Sequence, residues 1–105
     1  AMQKALANAR INLDQVDAME VNEAFAAVAL VSTLMLADRD RAKAQKIRSK
    51  TNVNGSAVAI GHANTASGAR IIMNIMYELR RRGGGYALGG ICGGLAQGEA
   101  VVLKV

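Results

Sequence analysis

The sequence predicts an α/β domain, a mixed sheet packed with helices, that is incomplete on its own. Apolar residues recur at helical spacing near the start and in the middle of the chain. Shorter aliphatic runs bounded by glycine or turn residues read as strands. The strand candidates number only about three, so an unpaired sheet edge and an uncovered face remain unless another surface meets them. Composition agrees. Of 105 residues, 51% are hydrophobic and 20% charged, which suits one small domain with a modest core rather than a disordered chain. Two Tyr, one Phe, no Trp and no Pro leave aliphatic side chains and Met to fill the interior.

The elements follow in order. Met2, Ala5, Leu6 and Ala9 lie at i, i+3, i+4 and i+7, giving a helix to about Arg10. It has no capping residue ahead of it, which suggests a further part of the protein upstream. The opening residues also lack the apolar core and cleavage site of a secretory signal. A turn then leads into a buried strand ending at Met19 and Val21. Asn22 stands as the N-cap of an apolar helix running to about Leu36, with Glu23 in its first turn. The longest apolar stretch, 24–37, is interrupted by Ser32 and Thr33 and is too short to span a bilayer. A basic helix is expected over 39–49.

Residues 51–70 are rich in Asn, Gly and Ser and read as irregular backbone running into a helix. That helix carries an apolar stripe of Ile72, Met73, Met76 and Leu79 and ends in Arg80, Arg81, Arg82 and Gly83, a good C′ residue. Strands over 86–92 and 99–105, joined by the turn 93–98, complete the chain as an antiparallel pair. No internal repeat or linker interrupts it.

The formal charge of +5 is unevenly spread. Arg39, Arg41, Lys43, Lys46, Arg48 and Lys50 form one cluster, and Arg80, Arg81 and Arg82 another. A solvated helix face plus a helix C-terminus that favours cations accounts for both; a phosphate-bearing ligand is the other reading. Nucleic acid is disfavoured because no stacking aromatics are interleaved. One cysteine makes no internal disulfide, and one Cys with one His cannot make a four-ligand zinc site. A reducing compartment is expected, the cytoplasm or an organelle matrix.

His62 lies between Gly61 and Ala63, ahead of a helix opened by Asn64, Thr65 or Ser67. A lone histidine is often structural; near a helix N-terminus it can instead stay neutral and donate to a developing oxyanion. Cys92 ends a strand and opens a Gly-Gly turn, where a substrate could reach both the sulfur and the N–H of Gly94. It is either buried packing or, coupled to a histidine, a nucleophile or proton shuttle. Asn22 is most economically an N-cap, although an amide can also hold a catalytic water.

The strings VNEAFA, NVNGSAVAIGH with ASGAR following, and CGGLAQG before a final strand resemble, in order and spacing, the three C-terminal motifs of the thiolase family. The resemblance covers nearly the whole chain. It implies that residues 1–105 are part of the C-terminal domain of a layered α/β/α fold, and that the protein is an acyltransferase forming or cleaving 3-ketoacyl-CoA in lipid and fatty acid metabolism. Acyl-CoA and CoA would be substrates, with no covalently bound cofactor. Asn22 would hold a water that, with His62, makes an oxyanion hole for the thioester enolate, and His62 would also help activate the nucleophilic thiol. Cys92 would be the general acid/base, and the N–H of Gly94 would serve a second oxyanion hole.

The nucleophilic cysteine of that family lies in its N-terminal half, outside these residues. The chain alone is therefore expected to be inactive and to work in a homo- or hetero-oligomer with a part or subunit that carries that thiol. A non-catalytic thiolase-like binding or scaffolding subunit is the alternative. Two departures from the family pattern stand out: Ala63-Asn64-Thr65 replaces Pro-x-Gly after the histidine, and Leu95-Ala96 stands where glycines often follow.

Overall fold

The computed structural model describes residues 1–105 throughout. Helix α1 (Met2–Ala9) and a 3₁₀ turn (Leu13–Gln15) lead into strand β1 (Val16–Val21). Helices α2 (Ala26–Leu36), α3 (Arg41–Arg48), α4 (Ala57–Ile60) and α5 (Ser67–Arg82) separate β1 from the hairpin of β2 (Tyr86–Cys92) and β3 (Gly98–Lys104). The sheet is mixed, in the order β1-β2-β3, with β1 and β2 parallel and β2 and β3 antiparallel. A parallel pair requires a crossover, and the segment ending in α5 supplies it.

Alternation along the strands, broken once by a register shift between Val16 and Ala18, builds two cores. Val16, Met19 and Leu88 face Leu6 of α1, Ala37, and Ala44 and Ile47 of α3. Ala18 and Ala87 face Ile71, Ile75 and Leu79 of α5. Both faces of the β1–β2 pair are thus covered, which explains why β1 is apolar on both sides apart from buried Glu20 and exposed Asp17. Close approach needs Gly89: a Cβ there would lie 3.0 Å from Ile71 Cγ2 and 3.2 Å from Val101 Cγ1.

The expected open sheet surface is confined to β3, an edge strand with no fully buried residue, and further open surfaces lie on the helices. Phe25, Leu30, Val31 and Met35 are all exposed, and only Thr33 of α2 is fully buried, so α2 is not the buried helix its composition suggests. Nothing else in the chain is positioned to cover its outer side. The stripe on α5 also has a different phase. Its inward face is Ile71, Ile75, Glu78 and Leu79, while Ile72 and Met73 point outward. Adjacent apolar pairs, Ile71-Ile72 and Ile75-Met76, leave that phase undetermined by periodicity.

The outer edge of β1 is closed by a local device. Met19 pairs with the 50–52 segment through Met19 N–H to Lys50 O (2.8 Å) and Asn52 N–H to Met19 O (2.9 Å). The Asn52 amide then continues the ladder, accepting from Val21 N–H at 2.8 Å and donating to Val21 O at 3.0 Å. Asn52 does this from a left-handed φ of 53°, which asparagine tolerates better than most residues.

Part of each basic cluster is structural. Asp40, not Arg39, caps α3, accepting from Lys43 N–H at 3.0 Å. Arg48 ties α3 to α2 through Thr33 Oγ1 (3.0 Å) and Leu30 O (3.1 Å). Lys50 donates to Leu13 O and Val16 O, and burial lowers its pKa. Arg81 and Arg82 both hold Glu78, which also accepts from Asn54 Nδ2 at 3.0 Å. The hydrogen bonds from Arg81, Asn54 and Arg82 pull the Glu78 carboxyl from the usual 4.5 down to about 2. A depressed carboxyl contributes stability that is present above the ordinary value and lost as pH falls through the folded one. Urea midpoints of the wild type should therefore fall more steeply than those of Glu78→Gln between pH 4.5 and about 2. Parallel acid limbs would show that the cluster contributes nothing.

Candidate active site

The parallel register sets the site. Val21 pairs with Gly90, and the N–H of Asn22 donates to Gly90 O at 2.9 Å, so β1 and β2 end at one edge of the sheet. Cys92 closes β2 at that edge. A short turn, 83–85, joins α5 to β2, so the helix lies antiparallel to the strands and its N-terminus points to the same edge. His62 precedes that N-terminus by five residues. Ligand sites in open α/β sheets form at the carboxyl ends of parallel strands.

His62 is exposed, and its Nδ1 lies 2.6 Å from Oγ of buried Ser67, the first residue of α5. His62, Ser67 and Arg70 line one shallow depression together with Ile60 and Ala66. The turn closes without proline or glycine. Ala63 O accepts from Ala66 N–H (2.9 Å) and Ser67 N–H (2.8 Å), and none of Ala63, Asn64 and Thr65 adopts a positive φ. The segment expected to be mostly irregular contains the single-turn helix α4 before Gly61, whose φ is 90°.

Cys92 is a free, exposed thiol. It borders two depressions of its own, one toward Met2 and Val28 and one toward Gln97 and Glu99. No hydrogen bond joins it to His62, and the two line separate depressions of one edge. The loop beyond is closed by Gly93 N–H to Gln97 O at 2.9 Å, and the N–H of Gly94 has no backbone acceptor. Leu95 and Ala96 take φ of 57° and 60°, the left-handed conformation that accounts for glycine being usual there.

Asn22 is not an N-cap. Helix α2 begins at Ala26, after Phe25, because the Glu23 carboxylate is held across the fold by Asn52 Nδ2 (3.1 Å) and Val58 N–H (3.0 Å) and keeps the backbone extended. Asn22 is fully buried. Beneath it sits a polar cluster that the sequence reading missed. Glu20, 1% exposed, is ion-paired with Arg70 and also accepts from Asn74 Nδ2 and from Ser56 Oγ (3.1 Å). Arg70 Nη2 reaches Asn22 Oδ1 and Ser56 Oγ, each at 3.4 Å. Asn22 Nδ2 and Arg70 Nε are buried nitrogens with no hydrogen-bond partner. The sequence signal was Glu20 itself, a charge between the apolar residues Met19 and Val21.

Fold and edge together define an α/β domain whose polar side chains collect where parallel strands end. A family model described as the C-terminal domain of thiolase matches residues 1–105. A probable acetyl-CoA acetyltransferase of Mycolicibacterium smegmatis is 48% identical over 104 residues, covering 99% of this chain and 25% of that protein. Human mitochondrial 3-ketoacyl-CoA thiolase is 46% identical over 104 residues. Its crystal structure in complex with CoA superposes with a TM-score of 0.86, over 99% of this chain and 24% of that one. The acetyl-CoA acetyltransferase of Bacillus anthracis gives the same TM-score at 38% identity. The chain belongs to the thiolase family, as its C-terminal domain. It spans about a quarter of the length of these relatives. No helix is long and apolar enough to cross a membrane.

The left-handed loop gives a test. Ala96→Gly should raise stability by about 0.5–1 kcal/mol, since relief of a left-handed alanine exceeds the entropy that glycine adds to the unfolded chain. An unchanged or lower urea midpoint would show that the loop carries no strain.

Proposed function

We propose that this chain supplies the oxyanion-binding and proton-transferring half of a thiolase active site, which forms or cleaves 3-ketoacyl-CoA. The observation that carries this reading is the convergence of Asn22, His62 and Cys92 on one edge of the β1–β2 pair in a chain of this family. The thiol that carries the acyl group belongs to a part outside these residues, in the same polypeptide or in another subunit, and residues 1–105 alone are inactive.

In the condensing direction, the Cys92 thiolate takes the α-proton of an acyl-CoA. Negative charge then develops on the thioester oxygen. His62 Nε2–H and a water held by Asn22 donate to that oxygen; the 2.6 Å contact of His62 Nδ1 with Ser67 Oγ supports this tautomer, in which Ser67 Oγ–H donates to Nδ1 and the ring proton sits on Nε2. The carbanion attacks the acyl group held on the other thiol, and the N–H of Gly94 donates to the tetrahedral oxyanion. Collapse forms the 3-ketoacyl-CoA and releases the acyl-carrying thiolate, which takes the proton back from Cys92. Cleavage runs the same steps in reverse. Most of the coenzyme A surface is held elsewhere, and the reaction suits a reducing compartment that keeps Cys92 a free thiol.

Cys92→Ser and His62→Ala, in the protein assembled with the remainder of the site, should each lower condensation and thiolysis by about 10²–10⁴-fold without preventing assembly. Ser67→Ala should lower kcat about 10-fold by releasing the His62 tautomer, the loss expected for roughly 1.4 kcal/mol of transition-state stabilisation. Wild-type rates in both the Cys92 and His62 variants would favour the second reading, a non-catalytic thiolase-like subunit that binds or scaffolds. The altered turn after His62 is the observation on that side.

A further inference from the structure

We infer that Arg70 is a positioning residue that fixes which end of the Asn22 amide faces the reaction. The inference rests on the reading above in which Asn22 holds a water. An asparagine amide is ambiguous by shape, with an acceptor oxygen and a donor nitrogen of nearly equal size, and its neighbours alone decide how it lies. Here the deciding neighbour is a cation. Arg70 Nη2 donates to Asn22 Oδ1 at 3.4 Å, and a guanidinium has donors only, so an inverted amide would set Nδ2 against it. The guanidinium cannot retreat, because the same side chain is ion-paired with Glu20, itself held by Ser56 and Asn74.

The consequence concerns polarity. With Oδ1 taken by Arg70, the buried Nδ2 is the free end of Asn22. A water that accepts from Nδ2 uses a lone pair and keeps both of its protons, so it can donate to an oxyanion. A water facing Oδ1 would spend a proton on the amide. Arg70 thus acts through Asn22 on the sign of the oxyanion hole, with no contact to substrate required.

The test is a double-mutant cycle in the assembled protein between Asn22→Ala and Arg70→Lys, the second retaining the charge beside Glu20. Arg70→Lys alone should lower kcat by about 10-fold or more with KM within about 2-fold, the pattern of an interaction made only in the transition state. In the Asn22→Ala background the same change should alter kcat by less than about 2-fold, because the residue it acts through is gone. Equal losses in both backgrounds, or no loss in either, would overturn the role of Arg70 while leaving that of Asn22 intact. A wild-type kcat in Asn22→Ala would instead overturn the reading on which the inference rests. Should Arg70→Lys fail to assemble, neutron diffraction from deuterium-exchanged wild-type crystals decides. Deuterons on the Asn22 nitrogen directed away from Arg70 support the assignment, and an amide carbonyl directed away from Arg70 overturns it.

Discussion

The ion pair between Glu20 on β1 and Arg70 on α5 is the interaction on which the rest of the site depends. A buried carboxylate is costly to desolvate, and the cost is offset only if its oxygens are fully engaged. Ser56 and Asn74 complete that engagement from the segment before α5 and from α5 itself. Four positions separated by up to 54 residues in sequence are thereby tied to one strand end. The same cluster anchors the residue after the strand, Asn22, and the first turn of the helix against which His62 rests. A replacement by packed aliphatic groups could match the stability; it would not orient an amide.

A second constraint is the parallel pairing of β1 and β2. It obliges the chain to return over the sheet, and the return brings the N-terminus of α5 to the edge where both strands stop. The site is therefore a product of topology before it is one of side chains: a loop histidine and a strand-end cysteine 30 residues apart reach one edge without touching. They remain in separate depressions, and α2 keeps Phe25, Leu30 and Val31 in solvent. Both features fit a domain that spans a quarter of its relatives.

Much of this was legible in the sequence. The glycine-bounded motifs around His62 and Cys92, the hairpin 86–104 and the end of α5 at Gly83 all depend on local chemistry, which the sequence carries directly. What could not be read depends on distant partners. Asn22 followed by Glu23 has the local form of a helix start, and only the contacts of Glu23 with Asn52 and Val58 show why the helix waits until Ala26. Ser67 and Arg70 sit in the ASGAR motif, yet their contacts are with His62 Nδ1 and Asn22 Oδ1, which only the folded chain brings near. The phase of α5 was lost for a different reason, since paired apolar residues satisfy two helical faces equally.

In the proposed function His62 and Cys92 are not a nucleophile and its base. In that role they are instead the oxyanion donor and proton shuttle of a site whose acyl-carrying thiol lies elsewhere. Mass spectrometry of the assembled protein, quenched during incubation with acetyl-CoA, tests this most directly. An acetyl group on a cysteine outside residues 1–105, with Cys92 unmodified, is the expected result. A kinetically competent acetyl thioester on Cys92 would contradict the division of roles.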